Sequence, residues 1–310
     1  MDMAHNPVLL HECIEALAIK PDGIYIDGTL GRAGHSLEIA KRLTTGRLIA
    51  IDRDETAIEA AQIRLAEFLP RVTLVHRDFR ALDQVLNECG VEKIDGILLD
   101  LGVSSPQLDD AARGFSYMAD APLDMRMDRS GGLRAYDIVN GLEEAELRRI
   151  FFAYGEERYS ARIAAEICRA RSQRPIETTF ELVEIIRRAM PAKALREKQH
   201  PAKRTFQAIR IAVNDELAAI ESVLKDAVAR LNPGGRIAVI TFHSLEDRIV
   251  KKGFGEMANP CICPPELPVC GCGRVATLKQ INRKPIVPTD SEIARNPRAR
   301  SAKLRIAERI

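Results

Sequence analysis

The stretch that decides the fold is "IYIDGTLGRAGHS", residues 24–36. A short apolar run ends in Asp27, and glycines follow at every third position, Gly28, Gly31 and Gly34. A strand, a glycine-rich turn and then a helix form a nucleotide-type site: backbone N–H groups at the helix start face the ligand, and glycines let it come close. The spacing G-x-x-G-x-x-G is neither the dinucleotide fingerprint G-x-G-x-x-G nor a Walker loop, which needs Gly-Lys-Ser/Thr. His35 and Ser36 occupy the helix start instead.

Working outward, further Ile/Leu/Val runs at 47–52, 72–76 and 94–100 predict strands, with helical segments between them. The segment 54–69 places Ile58, Ala61, Leu65 and Phe68 on one face behind Asp54 as N-cap. Short apolar strands alternating with helices read as a parallel sheet covered on both faces, an α/β fold. Strand-type runs resume at 235–242 and 303–307.

Between 101 and 234 the alternation stops. "TTFELVEIIRRAM" opens with a capping box from Thr178 to Glu181. Tyr159, Ile163, Ile167 and Ala170 recur at helical spacing, and Phe206 through Leu231 step by three or four up to "NPGG". The expected organisation is a discontinuous α/β domain, 1–108 and 206–310, interrupted by a helical insertion at 109–205 that serves substrate recognition.

Asp52 ends the second strand, 24 residues after Gly28, where an acid can accept hydrogen bonds from two ribose hydroxyls. The third run ends at Asp78 and Phe79, the fourth at Asp100 in "ILLDLGVSSPQ". Asp27, Asp52, Asp78 and Asp100 thus make the ligand-binding edge of the sheet acidic. Such an edge suits a ligand with positive charge and hydroxyls but no phosphate, which is the chemistry of S-adenosylmethionine. Any one glycine can serve a tight turn, and any one aspartate a helix cap; the ordered set points beyond both.

With 46% hydrophobic and 29% charged residues, the 310-residue chain can bury a sizeable core and fits a soluble protein. No apolar run reaches the roughly 20 residues of a membrane span, and no secretory signal pattern opens the sequence, so the cytoplasm is the expected location. Net charge is only +2, but basic islands stand out at 200–210, "HPAKRTFQAIR", and in the last sixteen residues. Lys203, Arg204, Arg210, Arg298, Arg300 and Lys303 are the candidate nucleic-acid contacts, each competing with a solvated charged face.

The motifs "DGTLGRAGHS", "AIDRD", "DGILLDLGVSSPQLDDAARGFSY", "PLDMRMD", "YGEERYSARIA", "RTFQAIRIAVNDEL", "LNPGGRIAVITFHSLEDRIVK" and "NPRARSAKLRIAER" run from about Pro7 to the C-terminus. Together they resemble the RsmH (MraW) family of bacterial methyltransferases, which modify the N4 of a cytidine in small-subunit ribosomal RNA. The resemblance implies a Rossmann-like S-adenosylmethionine-dependent methyltransferase sheet with a helical insertion after strand four. It implies cofactor contacts at Ala33, Gly34, His35, Asp52, Phe79, Asp100 and Gln107. Ala33 departs from the family, which often has glycine there; alanine is the mildest change unless the position needs a positive φ. The implied partners are small-subunit ribosomal RNA or the small subunit itself, with a homodimer left open.

Cytosine N4 is a poor nucleophile, so acceptors for its N–H groups and tight positioning are what a site must supply. Asp100, Ser104, Ser105 and Asp124 are the candidates. The Pro-Pro-aromatic remainder of the tetrad common in amino-methyltransferases is missing after Asp100. His243 is a further candidate, against a hydrogen-bonded strand-end role; for Asp124 an ion pair to Arg126 or Arg113 competes. The target base must leave its stack, and Phe115, Tyr117 and Phe242 could face it, although a phenylalanine more often packs a core.

Cys261, Cys263, Cys270 and Cys272 form C-x-C-x6-C-x-C, four thiols, the number a structural zinc takes. The usual C-x2-C knuckle is absent, so a reduced surface loop is the favoured reading and zinc the alternative. Other functions compatible with the residues are methylation of DNA cytosine or a small molecule, a dehydrogenase, or a nucleotide-binding module without catalysis. The glycine spacing and acidic strand ends weigh against nicotinamide dinucleotides.

Overall fold

The structure, a computed structural model, describes residues 7–264 and 271–310. Contacts divide the chain into two compact units, Met1–Gly102 with Leu217–Ile310, and Val103–Glu216. The boundaries lie at 102/103 and 216/217, against the 108/109 and 205/206 read from the sequence. The second difference has a clear cause. The continuous apolar run from Phe206 is broken at Asp215, whose φ is +48°, and the helix before it, Lys203–Asn214, buries Phe206, Ala208 and Ile209 in the core of the inserted unit.

The first unit is built on seven strands: β1 Ile24–Asp27, β2 Arg47–Asp52, β3 Val72–His76, β4 Ile94–Asp100, β5 Leu231–Thr241, β6 Leu278–Gln280 and β7 Lys303–Arg309. Their order across the sheet is β3-β2-β1-β4-β5-β7-β6. The first five pair in parallel, and β7 runs antiparallel to both β5 and β6. The strands are apolar on both faces because both are covered. Tyr25, Leu48, Ala50, Leu98 and Ile240 point into one core, while Ile26, Ile49, Ile51, Ile97 and Leu99 alternate into the other.

Successive strands leave β1 in opposite directions, β2 and β3 to one side and β4 to the other. The carboxyl ends of β1 and β4 therefore flank the switch point, where open α/β sheets leave a crevice for ligands. Asp27 and Asp100 are the last residues of those two strands. The two strands at the antiparallel edge differ in legibility: β7 follows an alternating apolar run, whereas the three residues of β6 are too few to show a period.

The second unit is helical, as expected. Helices Ala135–Gly141, Glu144–Gly155, Ser160–Arg171, Thr179–Ala189 and Lys203–Asn214 surround a core that includes Phe151, Ile163, Ile167, Leu182, Ile186 and Ile209. The capping box read at Thr178 forms, with its side chain accepting from the Glu181 N–H. No helix among the described residues is long and apolar enough to cross a membrane.

Candidate active site

The turn after β1 owes its glycines first to the protein itself. A Cβ on Gly28 would lie 2.5 Å from Leu99 Cδ2. One on Gly34 would run into the Pro7 ring. Gly31 sits at φ +47°. Ala33, the N-cap of helix Gly34–Ala40, is also left-handed, at φ +57°. The departure from glycine thus falls where the backbone favours glycine, and Ala33 holds a conformation costing an L-residue about 1–2 kcal/mol.

Three aspartates surround this turn. Asp27, buried, accepts from Ser36 Oγ at 2.7 Å and from the Thr29 N–H at 3.1 Å, locking the helix start onto the strand end. Burial raises its carboxyl to about 6 despite those bonds. Asp52 reaches from the end of β2 into the glycine turn: Oδ2 accepts from the Gly31 N–H at 2.8 Å and Oδ1 from the Asp54 N–H at 2.9 Å. Burial outweighs both bonds and raises its pKa as well. Each oxygen still has a lone pair for a further donor, so the carboxylate is fixed in place and able to accept more.

Asp100, at the end of β4, is different. Its Oδ1 is buried with no hydrogen-bond partner, and Oδ2 lies 3.8 Å from His35 Nδ1. Burial, then the charges of Asp27 and Glu246, push its carboxyl up to about 8. An orphaned buried carboxylate among other acids is the arrangement that a cationic donor would relieve. Its backbone N–H is held by Thr29 Oγ1 at 2.6 Å, which ties β4 to the glycine turn.

The acidic edge is smaller than the sequence indicated. Asp78 pairs with Arg53 at 3.0 Å and Arg80 at 3.4 Å and caps the turn at Phe79, so its charge is spent within the protein. Phe79 itself is half-buried beside Gly28, with its Cβ 3.5 Å from where a Gly28 Cβ would stand. His35 is buried and lies 3.1 Å from the Val8 carbonyl through Nε2.

Glu246 escaped the sequence reading. It is fully buried, and its Oε2 accepts from the N–H groups of Phe242 (2.7 Å) and His243 (3.1 Å) beyond β5. Its Oε1 lies 3.1 Å from His243 Nε2. His243 therefore serves as N-cap of helix Ser244–Ala258, the strand-end role, with Glu246 completing the capping box. The signal was present as His-x-x-Glu, a capping box with an unusual cap residue.

The remaining candidates belong to the helical unit. Ser104 caps the helix Ser105–Asp109, and the buried Gln107 turns Oε1 back to accept from the Ser104 N–H at 3.0 Å. Asp124 is held by Arg126 through both oxygens, at 2.8 and 2.9 Å. Burial would raise its pKa, but the Arg126 hydrogen bonds prevail and lower it. The ion-pair role is thus the one the structure displays for Asp124. Phe115 is buried in the helical core, and Tyr117 stacks on His200 with ring centroids 4.5 Å apart.

The basic islands divide in the same way. Arg210 makes two 2.8 Å bonds to Glu216, with both side chains largely buried. This buried ion pair with a carboxylate six positions on competes with the nucleic-acid contact expected of Arg210. Arg204 donates to the Glu156 carbonyl at 3.0 Å, and Lys303 pairs with Asp247 at 3.1 Å. Lys203, Arg298 and Arg300 are exposed.

A model of the MraW methylase family matches residues 2–310. A protein of Paenibacillus sp. (strain JDR-2) named ribosomal RNA small subunit methyltransferase H is 57% identical over 313 residues, covering 99% of each chain. Its namesake in Brevibacillus brevis is 55% identical over 307 residues, covering 99% of this chain and 98% of the other. One in Geobacter sp. (strain M21) is 56% identical over 310 residues, covering 100% and 99%.

Proposed function

This chain belongs to the MraW methylase family, and from that premise we propose that it methylates the N4 amine of a cytidine in 16S ribosomal RNA, with S-adenosylmethionine as donor. Methylation of small-subunit ribosomal RNA follows the name shared by relatives at 55–57% identity. The donor and the N4 position are our own reading. The observation that carries the donor is the buried Asp100 Oδ1 without a partner at the sheet's switch point.

The residues fit the donor chemically. S-adenosylmethionine supplies an electrophilic methyl group on a sulfonium, together with an ammonium and a ribose diol. Asp52, oriented by the Gly31 and Asp54 N–H groups, accepts from the diol. Asp100 accepts from the cationic amino-acid portion, which returns its carboxyl to the charged form. Phe79 offers an apolar flank to the adenine. Asp27 stays within the protein, holding Ser36 and Thr29 so that the turn keeps its shape.

The amine to be methylated has its lone pair delocalised into the cytosine ring. Acceptors for its N–H hydrogens pyramidalise the nitrogen and stabilise the positive charge that develops there. Asp100 and the hydroxyls of Ser104 and Ser105 have that chemistry. Lys203, Arg298 and Arg300 supply exposed positive charge for RNA phosphates, which adds salt-sensitive affinity without reading sequence.

Isothermal calorimetry with S-adenosylmethionine and with NAD tests the donor. Binding of the first and not the second is expected; the reverse would remove the premise of methyl transfer. Label transfer to small subunits, free 16S RNA and DNA then separates the substrates, with RNA in either form expected to accept and DNA not.

A further inference from the structure

We propose that Cys261, Cys263 and Cys272 bind a structural zinc ion that staples the segment between helix Ser244–Ala258 and strand β6. Methyl transfer makes no use of these residues. The sequence alone favoured an ordinary reduced loop, because C-x-C is not the common zinc spacing. The fold supplies what the spacing could not: the three sulfurs, one of them eleven positions from the first, all lie within 4.8 Å of one another. Cys261 Sγ and Cys272 Sγ are 3.9 Å apart.

That separation has a specific meaning. Zinc–sulfur bonds of about 2.3 Å in a tetrahedron set neighbouring sulfurs about 3.8 Å apart. The Cys261–Cys272 pair is already at that distance, and no separation in the trio exceeds it by more than about 1 Å, within reach of a side-chain rotation. A disulfide needs sulfurs at about 2.05 Å. The donor set of thiolates selects a borderline-soft cation over magnesium or calcium, which take oxygen ligands. Cys270 of the sequence pattern lies outside the described residues.

The segment also needs an anchor. From residue 259 to residue 277 no described side chain is buried, and Ile262 and Val275 are exposed. Among the described residues of this loop none is anchored in an apolar core, and a metal would supply the folding energy a core otherwise provides. Each thiol that ligates gives up its proton, so three protons leave as the ion binds, with no change of oxidation state.

The test uses the full chain, purified without a metal-binding tag under a non-thiol reductant. Elemental analysis is expected to find one zinc per chain. Cys261→Ser and Cys272→Ser should each fall to background, with far-ultraviolet dichroism and S-adenosylmethionine binding retained, while Cys168→Ser keeps its zinc. Should the variants fail to fold, cobalt(II) titration of the wild-type chain gives the second reading: thiolate-to-cobalt charge-transfer absorption that saturates at one equivalent and is reversed by zinc. Wild-type protein that holds no zinc after incubation with it, zinc retained in both variants, a cobalt spectrum without thiolate bands, or recovery of Cys261 and Cys272 as a disulfide from reduced preparations each overturns the proposal.

Discussion

Asp100 Oδ2 and His35 Nδ1 stand 3.8 Å apart at the carboxyl edge of the sheet, while the other Asp100 oxygen is buried with no hydrogen-bond partner. A site built this way is costly to the protein until something positive arrives. The carboxyl ionises near 8 in the folded chain, against an ordinary value of 3.8. Between those values the folded state keeps a proton that the unfolded state releases, so this group makes stability fall as pH rises from about 4 toward 8. Asp100→Asn removes the slope. We expect the variant to match wild type in urea midpoint near pH 4 and to exceed it by several kcal/mol near pH 8, while binding S-adenosylmethionine more weakly. Parallel midpoints at both pH values would contradict the assignment.

Asp52 accepts from two backbone N–H groups, and the lone pairs it has left are the acceptors we propose for a ribose diol. A charged hydrogen bond contributes about 1.5–3 kcal/mol, so Asp52→Ala should weaken S-adenosylmethionine binding by about tenfold or more. The Gly31 and Asp54 N–H groups also lose their acceptor, which costs about 1–3 kcal/mol of stability. Calorimetry and denaturant unfolding on the same preparation read both effects. Undiminished affinity would place the sugar elsewhere.

Gly34 is glycine because Pro7 occupies the space a Cβ would need. Gly34→Ala should therefore destabilise the chain by about 1–3 kcal/mol in the absence of any ligand, as overpacking does. Thermal unfolding of the ligand-free protein is the measurement. An unchanged midpoint would mean that the glycine is kept for what binds rather than for what packs.

Legibility in the sequence followed the physics of each feature. Strands β1 to β4 end within a residue of where their apolar runs end, because the middle of β1, β2 and β4 is buried on both faces and must be apolar there. The charges were harder. Asp27, Asp52, Asp78 and Asp100 look alike in sequence, yet Asp78 is neutralised by Arg53 and Arg80 while Asp100 has an oxygen left over. Whether a carboxylate is satisfied depends on partners brought by other elements. Arg210 shows the same gap, since its pairing with Glu216 requires the chain to turn at Asp215. Glu246 is hard to read because a capping-box carboxylate and a fully buried one share the same letter.

Arg210 and the exposed cations should behave oppositely under mutation. Removing one partner of a largely buried pair costs about 3–5 kcal/mol, so Arg210→Ala should lower the unfolding midpoint strongly. Charge reversal at Lys203, Arg298 and Arg300 should leave stability within about 0.5 kcal/mol. It should weaken RNA binding and flatten its dependence on salt concentration. Filter binding across a salt series, alongside urea unfolding, distinguishes the two groups. A large stability loss in the surface variants, or a flattened salt slope in Arg210→Ala without one, would reverse the roles.

The most direct measurement is nucleoside mass spectrometry of 16S RNA after incubation with the purified protein and S-adenosylmethionine carrying an isotopically labelled methyl group. We expect the label in a single cytidine, on the exocyclic nitrogen. Label on another base, on cytosine carbon or ribose, or on no RNA at all in the presence of bound donor, would contradict the account.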